Sequence, residues 1–163
     1  MKITEIRKDI LSKLNLVGNY KITEDLIDKF GEVYSGKPAS THITKPSNKR
    51  YNRKLNALSL VKYKRVLGIP SKDIPEGFIY IMIDLENPGY CKVGRSLDPR
   101  DRLMSAQTYS PNASFKLSGW YFTSDMRKVE AEVHYKLHKY RCNGEWFKIS
   151  IPTVIQLVLR VIS

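Results

Sequence analysis

The 163-residue chain is 42% hydrophobic, enough apolar material for a folded core, but it is too short for two full-sized domains. It contains no run of about 18 apolar residues, which excludes a membrane-spanning helix. Twenty-eight Lys and Arg against sixteen Asp and Glu leave a net charge of +12, so a polyanion, nucleic acid first of all, is the expected partner.

That charge is unevenly placed. Residues 1–72 carry 16 basic and 6 acidic side chains, net +10, while residues 73–163 carry 12 and 10, net +2. From Val33 to Lys72 there are ten Lys or Arg and no acid. Residues 1–72 therefore read as a basic, mainly helical region for nucleic-acid binding, with Lys45, Lys49, Arg50, Arg53, Lys54, Lys62, Lys64 and Arg65 as candidate phosphate contacts.

In chain order, Thr4 is placed to cap a helix with Ile6, Ile10, Leu11 and Leu14 as its apolar stripe. Thr23 is placed to cap a second, burying Leu26, Ile27, Phe30 and Val33. Residues 36–48 are rich in Pro, Ser and Thr and read as a loop. Residues 48–67 follow as a basic helix ending at Gly68 and Pro70, with Tyr51, Leu55 and Leu58 on one face. A domain boundary is expected near residues 72/73.

From Gly77 the pattern changes to strands. Phe78 to Ile83 is a continuous β-favouring run, Glu86-Asn87-Pro88-Gly89 is a turn, and Tyr90 to Gly94 returns as the second strand of a hairpin. Asp98-Pro99 supplies an N-cap and a first-turn proline for a short helix. Phe115 to Phe122 reads as a third strand, and Ser124 as the cap of a helix burying Met126, Val129, Val133 and Leu137. Glu145 to Ile149 can add a short strand before a last apolar helix opened by Pro152. Residues 73–163 are thus expected to be α+β, with a central antiparallel three-stranded sheet flanked by helices. Cys91 and Cys142 fall on a strand and a loop with no apolar leader ahead of them, and suggest a reduced, cytoplasmic setting.

The segment from Gly77 to Ile149 resembles the GIY-YIG endonuclease superfamily. Phe78-Ile79-Tyr80 stands at the first tripeptide and Lys92-Val93-Gly94 at the second. It is most similar to the phage-associated branch with a Lys-Ile-Gly second motif, continued by Arg95-Ser96, an arginine-bearing helix, a Glu-x-x-x-His helix and a Gly-Glu-Trp-Phe ending. The resemblance implies divalent-metal-dependent hydrolysis of DNA phosphodiesters, with RNA left open, and in a phage setting a place in the host cytoplasm. A catalytically inactive nucleic-acid-binding protein that keeps the fold is the alternative.

Carried over residue by residue, Tyr80 orients or deprotonates the attacking water, Arg102 stabilises charge on the phosphate, and Glu130 binds Mg²⁺ or Mn²⁺. Free phenol ionises near pH 10, so Lys92, Arg95 and the metal are expected to favour its phenolate. Lys92 replaces the second tyrosine of much of the superfamily, and Ala106 stands where many members have histidine. Helical spacing puts His134 and His138 on the face of Glu130, which makes His134 a further candidate at the metal-bound water or the substrate. Glu145 reads as an anchor for the end of the fold, with a catalytic role as the alternative.

Overall fold

The computed structural model describes residues 9–10, 12–35 and 46–163, and the chain divides between Ile74 and Pro75 into two compact units. Lys45, Thr4, Ile6, Leu11 and the loop up to residue 45 lie outside the described residues. Residues 9, 10, 12 and 13 are helical and Ile10 is buried.

Two longer helices organise the first unit. Helix α1 (Glu24–Ser35) is capped by Thr23, whose Oγ1 accepts from Leu26 N at 3.1 Å. Helix α2 (Pro46–Val66) ends where Gly68 takes φ +87° and Ile69 N returns to Lys64 O at 3.0 Å, a stop that favours glycine. The two helices bury Ile27 and Phe30 with Leu58, Leu60 and Val61, and the ring of Phe30 meets Tyr63 edge-on at 5.8 Å. Tyr51, expected on the buried face with Leu58, is exposed.

The second unit is α+β, but its sheet has five antiparallel strands rather than three, in the order β3-β1-β2-β5-β4. These are β1 (Gly77–Asp84), β2 (Tyr90–Ser96), β3 (Phe115–Thr123), β4 (Arg141–Asn143) and β5 (Trp146–Lys148). Strands β4 and β5 span three residues each, too few for alternation to announce them, and β4 is exposed throughout. Gly144, at φ +58°, supplies the left-handed turn between them.

The hairpin between β1 and β2 is fixed by Asp84, whose carboxylate accepts from Glu86 N at 3.1 Å and Asn87 Nδ2 at 2.8 Å. Helix α3 (Pro99–Gln107) starts at Asp98, which accepts from Arg100 N at 3.0 Å. Helix α4 (Met126–Lys136) is capped by Asp125 rather than Ser124, with Lys128 N donating to it at 3.2 Å. Helix α5 (Ile151–Ile162) completes the chain. One face of the sheet, through Ile79, Ile81, Cys91 and Val93, packs on Val129 and Val133 of α4 and Val154 and Val158 of α5. Helix α3 packs against β1, β2 and β3, where Phe78 meets Trp120 edge-on at 5.1 Å. Among the described residues no helix is long and apolar enough to cross a membrane.

Candidate active site

Strand lengths decide where the second unit opens. On β2, strand β5 pairs with Tyr90, Cys91 and Lys92 alone, so β2 runs on without it from Val93 to Ser96. Two groups finish the ladder there. Val93 N donates to the Glu145 carbonyl at 3.2 Å, and His134 Nε2 donates to the Val93 carbonyl at 2.7 Å. Beside this end of β2 lies a cleft of about 380 Å³, lined by Tyr80, Arg95, Ser96, Leu97, Arg102, Glu130 and Glu145.

Tyr80 reaches the cleft by crossing its neighbour on β2. It pairs with Gly94, and a Cβ on that glycine would stand 2.4 Å from Tyr80 Oη and 2.5 Å from Cζ. The ring therefore lies on bare backbone, and any side chain at position 94 would displace it. Arg102 of α3 hydrogen-bonds the phenol. Burial pushes the Tyr80 pKa up. The Arg102 hydrogen bond and charge oppose that shift, and the charges of Glu145 and Glu130 add to it. Tyr80 is thus held as a neutral phenol at neutral pH.

Glu130 projects from the buried side of α4 with its side chain only 10% exposed, and its Oε1 accepts from Arg95 Nη1 at 2.5 Å. Glu145, at the turn between β4 and β5, is the other acid of the cleft. Its side chain is 42% exposed, and Oε2 stands 3.6 Å from Lys92 Nζ. Ser96 and Asp98 hold the entry to α3, with Asp98 N donating to Ser96 Oγ at 3.0 Å.

Of the residues expected at the centre, Tyr80, Arg95, Arg102 and Glu130 share the cleft and two do not line it. Lys92 turns to Glu145, so the cation on the tyrosine is Arg102 rather than the expected Lys92 or Arg95. His134 spends Nε2 on the Val93 carbonyl and packs its ring 5.4 Å from Phe147. The repeat of Glu130, His134 and His138 is also broken, because α4 ends at Lys136 and His138 begins a 3₁₀ turn, with its Nδ1 on the Tyr135 carbonyl at 2.7 Å. Sequence reasoning gave Glu145 an anchoring role first and a catalytic one as the alternative. No signal in the Gly-Glu-Trp-Phe run shows that the turn carries its carboxylate to the cleft.

The candidate phosphate contacts of the first unit also sort differently in three dimensions. Lys49, Arg50 and Arg65 are exposed, and Lys54 and Lys62 are half-buried. Arg53 forms ion pairs with Glu24 and Asp28 across the two helices. Lys64 is buried, which corrects its reading as a surface contact. Its Nζ donates to Asn19 Oδ1 at 2.8 Å and sits 5.2 Å from the centre of the Tyr20 ring.

Residues 77–162 match the model of the T5orf172 domain. The chain belongs to this family. The T5orf172 domain is found in phage proteins and in endonuclease-associated proteins, which is compatible with a nuclease-like role and suggests an association with nucleic acid. Neither a curated protein nor a solved structure matches the chain. The T5orf172 match spans every residue that lines the cleft, and the basic helical unit precedes it.

Proposed function

We propose that this chain is a divalent-metal-dependent DNA endonuclease of GIY-YIG type, in which the T5orf172 domain cuts and the basic first unit grips the backbone. The observation that carries the reading is the convergence of Tyr80 from β1, Arg102 from α3 and Glu130 from α4 on one cleft. These residue types can meet the needs of phosphodiester hydrolysis: water placement, charge stabilisation and metal binding. Arg102, permanently charged and planar, balances the charge that builds on the phosphate oxygens. Tyr80, fixed over Gly94, orients or deprotonates the attacking water through its hydroxyl.

Among the described residues no group of three His, Cys, Asp or Glu side chains forms a cation cage. The single recessed carboxylate of Glu130 fits a Mg²⁺ or Mn²⁺ that takes its remaining ligands from water and phosphate. When bound, such an ion supplies Lewis acidity to the leaving 3′-oxygen. Arg95, on the same carboxylate, keeps Glu130 aimed into the cleft. Lys49, Arg50 and Arg65 offer the exposed charge for DNA phosphates, or for those of RNA.

The test is nicking of supercoiled plasmid with Mg²⁺ or Mn²⁺, set against EDTA and the variants Tyr80→Phe and Glu130→Ala. Metal-dependent nicking lost in both variants supports the reading. Intact plasmid together with tight, salt-sensitive binding would sink it in favour of a non-cutting binding protein.

A further inference from the structure

The face of the sheet that carries Tyr80 continues past the cleft to the other end of β2. Side chains two apart on a strand share a face, and so do directly paired residues. Gly94, Lys92 and Tyr90 therefore lie with Tyr80, and the pairing of Lys92 with Trp146 and of Tyr90 with Lys148 adds two residues of β5. Cys91, Val93 and Phe147 point the opposite way, into the core with α4 and α5.

At that far end lies a second cavity, of about 270 Å³, lined by Asp84, Asn87, Tyr90, Cys142, Asn143 and Trp146. Its two aromatic side chains are half-buried, so each is held by the fold and still has ring surface to offer. Trp146 stands 6.0 Å from Phe115 of β3, ring centre to ring centre, which carries the indole across β2 and β1. Lys148 Nζ sits 6.0 Å from the centre of the Tyr90 ring, and Lys92 lies on the strand between this cavity and the cleft. The acid of the lining is occupied: Asp84 accepts from Ser114 Oγ at 2.6 Å, Asn87 Nδ2 at 2.8 Å and Glu86 N at 3.1 Å. Asn143 is exposed and brings an amide that can both donate and accept.

Aromatic rings flanked by ammonium groups suit a nucleotide, since the rings stack on a base while the cations meet its phosphates. The cations also favour a polyanion over a neutral apolar ligand. A base paired within a duplex has both faces covered already, so one that enters here must be unstacked. From Gly94 to Tyr90 the strand rises about 13 Å, a span of a few nucleotides.

We propose that this cavity is a base-stacking subsite, in which Tyr90 and Trp146 take one unpaired nucleobase of a DNA strand whose scissile phosphate lies in the cleft. Lys92 and Lys148 meet the phosphates of that strand. The assignment rests on the nucleic-acid half of the reading above and deepens it: the favoured substrate has an unpaired nucleotide close to the cut.

Binding by the full chain in EDTA reads the subsite without cutting. Fluorescence anisotropy compares a labelled oligothymidylate with an abasic strand of the same length and charge, and the parent should prefer the first. Tyr90→Leu and Trp146→Leu should each weaken oligothymidylate binding by about 5- to 150-fold, leaving the abasic affinity and the salt slope unchanged. Trp146→Phe keeps a ring and should recover most of the affinity. Lys148→Met should instead lower the salt slope by about 0.7. Thermal midpoints separate lost stacking from lost fold, and Tyr90→Leu decides the matter where Trp146→Leu is unstable. Cys142 is exposed in the cavity wall and Cys91 is buried, so a maleimide reports on Cys142, which bound oligothymidylate should protect better than the abasic strand does. Equal affinity for the two strands, Tyr90→Leu within twofold of the parent, or Cys142 alkylated at its free rate under bound oligothymidylate would overturn the subsite, even in a parent that nicks plasmid. A parent that shows the stacking pattern but leaves plasmid intact with Mg²⁺ and Mn²⁺ would overturn the endonuclease reading and keep the subsite.

Discussion

Arg95 Nη1 and Glu130 Oε1 stand 2.5 Å apart and join the end of β2 to the middle of α4 across 35 positions of sequence. The carboxylate is recessed and the guanidinium half exposed, so water reaches the arginine far more readily than the acid. Removing the arginine leaves a recessed charge without this partner. Arg95→Met should therefore cost about 1–3 kcal/mol in denaturant unfolding, and the double variant Arg95→Met with Glu130→Met should recover part of that loss. With Glu130→Met alone completing the cycle, a double-variant loss equal to the sum of the two single losses would mean that the pair contributes no coupling.

Gly94 and Tyr80 make a second pair whose coupling is steric. Gly94→Ala drives a methyl group into the phenol ring, so a loss of about 1–3 kcal/mol is expected along with a fall in nicking rate. In a Tyr80→Leu background the obstructing hydroxyl and ring are gone, and the same glycine substitution should cost markedly less. A double-mutant cycle on unfolding midpoints measures the difference.

The basic helix yields a prediction about salt. Lys49→Ala and Arg50→Ala should each lower the slope of log affinity against log salt by about one, since each removes one phosphate neutralisation. Lys64→Met should leave that slope alone and change folding stability instead, because its ammonium is inside the unit on Asn19 and Tyr20. Fluorescence anisotropy with labelled duplex at several salt concentrations separates the two behaviours. An unchanged slope in Lys49→Ala and Arg50→Ala would remove the N-terminal half of α2 from the DNA contact.

Cys91 predicts how stability depends on pH. Its thiol is enclosed by the sheet core, and burial pushes its pKa up to about 11. An unfolded cysteine ionises at about 8.5, so the folded chain holds this proton more tightly. The associated stability is fully present below about pH 8.5 and is lost as pH rises through the folded value. Unfolding midpoints should fall across that interval in the parent. In Cys91→Ala the fall should be shallower, with Tyr80 and Tyr121, both raised by burial, still contributing from about pH 10 upward.

The Asp98-Pro99 cap was sufficient for α3, which buries only Pro99, while apolar patterning was sufficient for β1, β2 and β3 and for the cores of α2 and α4. It was insufficient for β4, whose three exposed residues carry no apolar signal, and for Lys64, whose type promises a surface that a polar pocket overrides. Tyr80, Arg102 and Glu130 were legible as chemistry before any geometry, since motif order ties them to strand, helix and helix. Hydrogen bonds to backbone were not legible. That is why His134 was placed near the water when its ring nitrogen closes the strand end. Glu145 was hidden for a related reason: its position depends on where a short strand stops.

The two outer strands, three residues each against eight and seven for β1 and β2, have a kinetic consequence. A ladder so short loses its hydrogen bonds in openings that leave the rest of the sheet intact, so its amides should exchange well before those of β1 and β2. Glu145 rides on that segment. The cleft thus has two walls built from long strands and helices, and one that is expected to open on its own clock without unfolding the core.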